Sequence, residues 1–276
     1  MTAIVAAESV TQLAAGLRGA VLVAGSHGGI VAAYLAASAG VRAVILNDAG
    51  VGKDAAGIAG LAYLEGIGTA AATVAHTSAR IGDGADALER GIISHANALA
   101  AALGVVAGMR CDEAAERLRA APLAHSTPPP YSEGRVLLRG GSVEIWGLDS
   151  IGKLLPEDAG RVLVIGSHAA LHGGRPASAL GVAARAAVFH DAGVGAAGVT
   201  RLPVLAARGI PAAAVDGRTA RIGDARSLWE TGVLAHLNER AVACGGQPGM
   251  RVSAFADLAA ALPNPRFSLT RMPPRG

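Results

Sequence analysis

The segment Val21-Leu-Val-Ala-Gly-Ser-His27 returns 141 positions later as Val162-Leu-Val-Ile-Gly-Ser-His168. The recurrence continues in order. Asp48-Ala-Gly-Val-Gly52 returns as Asp191-Ala-Gly-Val-Gly195, offset by 143, and Ala79-Arg-Ile-Gly-Asp83 as Ala220-Arg-Ile-Gly-Asp224, again offset by 141. Gly91, His95 and Asn97 match Gly232, His236 and Asn238, while Gly108-Met-Arg110 matches Gly249-Met-Arg251. Glu8-Ser9 has its match in Asp149-Ser150. Motifs kept in one order at nearly one offset mark an internally duplicated unit. The expected fold is therefore α/β, a strand-helix unit written twice, with mostly parallel sheet or sheets and a pseudo-twofold cleft.

Within the first copy, residues 20–24 are a continuous apolar run, the pattern of a strand buried on both faces. Residues 42–46 and 70–75 read as further strands. Helices are expected over 29–39, closed by Gly40, over 54–66, and over about 86–103. Strands near 161–165, 186–189 and 211–215 repeat the pattern. Strands that alternate with helices pair in parallel through right-handed crossovers. The expected boundaries are 1–110 for the first copy, 111–147 for a Pro-rich linker and a β-hairpin, and 148–276 for the second copy. The linker is Ser126-Thr-Pro-Pro-Pro-Tyr-Ser-Glu-Gly134; the hairpin flanks Gly140-Gly141 with arms 135–139 and 142–146. The Pro- and Arg-rich tail from Pro263 reads as irregular.

Composition narrows the function classes. Hydrophobic residues at 51% against 16% charged predict a packed globular chain, and aromatics at 3% leave its core to Ala, Val, Leu and Ile. The net charge is +3, spread along the chain without a basic run or interleaved aromatics, which argues against nucleic acid as a partner. Cys111 and Cys244 fit no metal spacing and read as thiols in a reducing compartment. The longest apolar stretch, 91–108, is interrupted by Ser94, His95 and Asn97, so a buried helix is expected and no membrane span. The expected location is cytoplasmic, with no metal and no cofactor. An Ala-rich helix surface also leaves a homo-oligomer open.

Ligands of parallel α/β sheets bind beyond the carboxyl ends of the strands, and all three recurring motifs are expected there. Gly25-Ser26-His27-Gly28-Gly29 joins a strand to a helix start, where backbone N–H groups favour an anion. Ser26 is a candidate nucleophile or contact for developing negative charge; the alternative is an N-cap with glycines that allow close packing. The segment departs from a nucleophile elbow at Ala24, where glycine is usual, and lacks the G-x-G-x-x-G of a dinucleotide fold. In Asn47-Asp48-Ala-Gly-Val-Gly-Lys53-Asp54, Asp48 faces a flexible glycine backbone. Lys53, one of only two lysines with Lys153, is a candidate base or charge clamp, or a solvated loop residue. In His76-Thr-Ser78-Ala-Arg80-Ile-Gly-Asp83, Arg80 can clamp a substrate carboxylate or lock loops by pairing with Asp83 or Asp48. His95 and Asn97 flank a helical stripe on opposite sides, so only one can face a site, and Asn97 suits a cap.

The resulting expectation is an enzyme acting on a small polar, carboxylate- or amide-bearing metabolite by hydrolysis or a related acid–base step. Asp48, Lys53 and Ser26 are the catalytic candidates; His27, Gly28, Asn47, Ser78, Arg80, Asp83 and His95 are the substrate-binding candidates. The main site is expected in the first copy, completed across the cleft by residues such as His168, His172 or Asp191. The alternative is a small-ligand-binding protein with two related lobes and no catalysis.

Overall fold

The computed structural model describes residues 2–124, 128–129, 131, 133–193 and 198–262. Ser126, Thr127, Pro130 and Ser132 of the linker, Gly195 of the second glycine loop and the tail from Pro263 lie outside the described residues.

The chain is α/β with two mostly parallel mixed sheets. The first holds β1 (Ile4–Ala7), β2 (Val21–His27), β3 (Ala43–Asn47), β4 (Ala70–Val74) and β5 (Ile93–Ala96) in that order. The first four are parallel, and β5 returns antiparallel to β4. The second holds β6 (Arg135–Arg139), β7 (Ile145–Leu148), β8 (Val162–His168), β9 (Ala186–His190), β10 (Ala212–Val215) and β11 (Leu234–Leu237). Here β7 to β10 are parallel, and β6 and β11 are the antiparallel edges.

Three-layer packing follows from the sequence alternation along each strand. In the first sheet Val21, Val23, Ile45 and Ala72 face one core, shared with α3 (Gly84–Arg90) and α5 (Cys111–Leu118). Leu22, Val44, Leu46 and Ala71 face the other, shared with α1 (Ile30–Ser38) and α2 (Gly60–Gly66). Each such Leu or Ile contributes roughly 1.5–3 kcal/mol by leaving water. Small residues set the spacing: a Cβ on Gly60 would stand 2.6 Å from the Gly28 carbonyl, and one on Gly28 would stand 2.7 Å from that of Gly57. The second sheet is covered by α6 (Arg201–Ala207) on one face and by α7 (Ala225–Thr231) and α9 (Val252–Ala261) on the other. No helix corresponds there to α1. Residues 172–178 make two short 3-10 turns instead, around Gly173, Gly174 and Pro176.

Four expectations are corrected. Each sheet has more strands than the three predicted per copy: β1, β5 and β11 are short strands of four residues, and the hairpin arms β6 and β7 join the second sheet. The helix expected over 86–103 is α3, then β5, then α4 (Ala98–Ala102). Gly91 ends α3, since a Cβ there would lie 2.3 Å from the Ala87 carbonyl. Asn97 caps α4: its Oδ1 accepts from Ala100 N at 3.0 Å and Ala71 N at 3.1 Å, and its Nδ2 donates to Thr69 O at 2.9 Å. Asn238 repeats this ahead of α8 (Glu239–Ala243), accepting from Ala241 N and Ala212 N. The hairpin is real, but its second arm is 145–148 and pairs with β8, while α5 packs on the first sheet. The stretch 111–147 is thus divided between the two sheets. Lastly, Gly25, Ser26 and His27 belong to β2 itself, where a register shift sets His27 opposite Asn47.

Candidate functional site

Asp48 follows β3 and Asp191 follows β9, and the loops they open meet each other. Gly50 and Gly193 are in contact: a Cβ on Gly50 would stand 3.1 Å from Gly193 Cα. Ala49, Ile81, Ala170, Ala192 and Ile222 form a small apolar cluster at this junction. Among the described residues, the non-glycine positions with left-handed backbone are Ala49, Val51, Asp54, Ala55 and Ala192, with φ from 49° to 61°. Each such position costs on the order of 1–3 kcal/mol, and strain of this kind gathers at sites where geometry matters more than stability.

A cavity of about 430 Å³ opens beside these loops. Its polar side chains are His76, Asp191, Asp216, Arg218 and His236, and Gly50, Gly52, Gly193 and Gly217 supply backbone walls. Asp48 stands behind His76. Its Oδ1 accepts from Gly50 N at 3.0 Å and from His76 N at 2.9 Å, and lies 2.8 Å from His76 Nδ1. A carboxylate only accepts, so Nδ1 carries the hydrogen and Nε2 is the ring nitrogen left with a lone pair. Asp48 is 3% exposed, so the pair is anchored in the core while the imidazole lines the cavity. Asp191 Oδ1 accepts from Gly193 N at 2.8 Å and Gly217 N at 3.0 Å, and its Oδ2 stands 4.0 Å from His236 Nε2. At the rim Arg218 grips Asp216 through Nε and Nη2 and holds that carboxyl below its usual range.

The other sequence candidates divide by what they touch. Ser26 is 6% exposed and lies away from this cavity; its Oγ accepts from Val10 N at 3.0 Å. Ser167 does the same for Ile151 N, so each of these serines pins a neighbouring turn. His27 accepts from Gly29 N through Nδ1, and burial, aided by the charge of His190, pushes it down to about 4. It lines a separate cavity of about 200 Å³ with Asp54 and Arg221. Gly28 is a packing glycine. Asn47 donates from Nδ2 to Ala79 O at 3.2 Å and accepts from Ala49 N at 2.9 Å. His190, its counterpart on β9, donates from Nε2 to Ala220 O at 3.1 Å and accepts from Ala192 N at 2.9 Å through Nδ1. Asparagine and neutral histidine each offer one donor and one acceptor at similar reach, so the loop geometry survives the exchange.

Ser78 donates to Ala75 O and accepts from Ile92 N, a staple that Thr219 repeats with Asp216 O and Val233 N. Lys53 links the loop after β3 to the turn after β10 and to α7: its N donates to Gly217 O and its Nζ to Thr231 Oγ1, both at 3.0 Å. Asp83 caps α3 through Asp86 N. Arg80 reaches Asp86 at 2.8 Å and Asp83 at 3.7 Å, with its side chain 61% exposed. It locks a loop and does not reach into the cavity. Arg80→Ala is accordingly expected to lower stability by less than about 1 kcal/mol, read as a small drop in urea midpoint, with ligand affinity unchanged; loss of affinity would restore Arg80 to the site. His95 sits in β5 opposite Thr73, with a buried Nδ1 that has no hydrogen-bond partner. Among the described residues no group of three or more His, Cys, Asp or Glu is placed to hold a metal ion, and no helix is long and apolar enough to cross a membrane.

Sequence reasoning gave no role to His76, Asp216, Arg218 or His236. One signal was present. Ala75-His-Thr-Ser78 aligns with Asp216-Gly-Arg-Thr219, a stretch in which polar residues differ between two otherwise matching motifs. The chain matches no protein-family model, and no curated protein or solved structure matches it.

Proposed function

We propose that this protein is an enzyme that hydrolyses a small, neutral, amide-bearing metabolite, or carries out a closely related acid–base step on it. The observation that carries the reading is His76, an imidazole fixed through Nδ1 by the buried Asp48 carboxylate and lining a cavity of about 430 Å³. That is the arrangement of a general base whose tautomer and orientation are preset. Among the described lining residues there is no hydroxyl, thiol or amine, so water is the nucleophile that His76 activates.

Charge favours the amide over the carboxylate substrate class. Asp191 and Asp216 face the cavity and Asp48 stands just behind it, against a single guanidinium from Arg218. The backbone N–H groups of Gly50, Gly193 and Gly217, which could have held an anion, are taken up by Asp48 and Asp191. A substrate with N–H donors meets free carboxylate lone pairs instead. In the same reading the recurring motifs reflect an internal duplication, and the cavity lies in a cleft near the pseudo-twofold relation between copies. The paired contacts of Gly50 with Gly193 and of Lys53 with Gly217 and Thr231 support this.

The test is NMR of pooled small metabolites with wild-type protein and with Asp48→Asn. Conversion of an amide-bearing compound by wild type alone supports the proposal. Line broadening without conversion, equal in both proteins, replaces it with a non-catalytic binding protein.

A further inference from the structure

We infer that His236 is the general acid of this site, delivering a proton to the leaving nitrogen while His76 activates water; this rests on the hydrolytic reading above. His76 comes from the end of β4 and His236 from β11, so the two histidines belong to opposite halves of the chain and line one cavity. They are not sequence counterparts. The residue matching His76 is Gly217, and the residue matching His236 is His95, which sits in β5 opposite Thr73.

Gly217 explains how the second half came to use a different histidine. A Cβ at this position would stand 3.1 Å from Asp191 Oδ1 and 2.8 Å from His190 Cε1. An imidazole of the His76 kind is excluded there, and Asp191 is left open to the cavity, whereas Asp48 is covered by His76. Asp191 is 6% exposed; two backbone N–H groups hold its Oδ1, which leaves Oδ2 directed at His236 Nε2 at 4.0 Å. A buried carboxylate at that distance supplies the counter-charge for an imidazolium, while Nδ1 of His236 is free of Asp191 and can serve the substrate. Asp48 fixes His76 by a direct hydrogen bond and so orients a base. Asp191 stands off His236 at ion-pair distance and so supports an acid.

The step balances as follows. His76 Nε2 takes a proton from water as the water oxygen forms a bond to the amide carbon and the carbonyl π pair passes to the carbonyl oxygen. That pair then returns to re-form the carbonyl as the carbon–nitrogen bond breaks with its electron pair passing to nitrogen, which takes the proton from His236. A carboxylic acid and an amine leave, and solvent moves the proton from His76 back to His236.

The experiment uses 4-nitroacetanilide and 4-nitrophenyl acetate with the full chain. The anilide nitrogen needs a proton to leave; the nitrophenolate oxygen does not. His236→Gln is expected to slow anilide hydrolysis by about 100-fold and to leave ester hydrolysis near wild type. Asp191→Asn is expected to weaken the same substrate in the same direction. Equal loss on both probes, or loss on neither, overturns the assignment of His236 and leaves the role of His76 standing. Wild type inactive on both probes overturns the hydrolytic reading and the inference together.

Discussion

Replacing His76 with glutamine is expected to lower kcat/KM on the converted amide by about 10³-fold, within the 10²–10⁴ range typical of a positioned general base. Glutamine keeps a polar tip near Asp48 but cannot take a proton from water at neutral pH. Asp48→Asn should cost a similar factor for a different reason. The asparagine carbonyl can still accept from Gly50 N and His76 N, but it gives no charge to balance the imidazolium that forms on His76. Because the two residues act as a unit, the double variant should be little worse than the worse single one. His76 is a quarter exposed, so the midpoint of thermal unfolding should move little with His76→Gln. A variant that keeps activity within a few-fold of wild type would remove the Asp48–His76 pair from catalysis. A variant that loses stability along with activity would point to a structural pair.

How much of this could be read from the chain depended on which residues repeat. Strands β2, β3 and β4 were legible because Val21–Ala24 and Ala43–Leu46 are unbroken apolar runs and Ala70–Val74 is broken only by Thr73. The strand β5 was not. Ile93-Ser-His-Ala96 sits among Ala and Leu that suit a helix, and its direction is set by non-local pairing with Thr73 and Val74 and by the Asn97 cap. At the site, Asp48 stood out because it opens a recurring glycine loop. Ser26, Asn47, Ser78 and Arg80 stood out equally, since a residue that holds a loop in shape sits in the same recurring motifs as one that binds a ligand. Their hydrogen bonds end on backbone groups, a neighbouring serine or local carboxylates, and only the structure separates the two kinds. His236 was hidden for the converse reason: it recurs as His95, so nothing in a comparison of the recurring motifs marks His236 as the one that lines the cavity.

The buried histidines predict the pH response of the fold, and the expected effect is large. His168, His172 and His190 are each 5% exposed or less. Burial, together with the neighbouring His172 and Arg201, pushes His168 well below its ordinary value, and burial next to Arg201 brings His172 to about 4. Arg201 is fully buried, and among the described residues no carboxylate forms an ion pair with it. Its guanidinium donates to the Ser178 and Ala179 carbonyls and, at 3.2 Å, to His172 Nε2. Protonating that nitrogen would replace a hydrogen bond with two facing positive charges. The folded values lie below the unfolded value near 6.5, so between pH 6.5 and 4 the unfolded chain binds more protons than the folded one. Stability is therefore fully present above about pH 6.5 and falls as the pH drops toward 4. His172 alone accounts for roughly 3 kcal/mol at about 1.36 kcal/mol per pH unit, and His27, also near 4, adds a comparable amount. Against a total of about 5–15 kcal/mol for a typical domain, acid unfolding is expected between about pH 4 and 5. The lowered carboxyls, such as Asp158 beside Arg135 and Asp216 beside Arg218, titrate below that window and do not blur it. Urea midpoints measured from pH 7.5 down to 4.5 should fall steadily, and His172→Gln should flatten the slope even if it lowers the midpoint at neutral pH. A midpoint that stays level from pH 7 to 5 would mean that these imidazoles are solvated in the native state and that Arg201 has a counter-charge nearby.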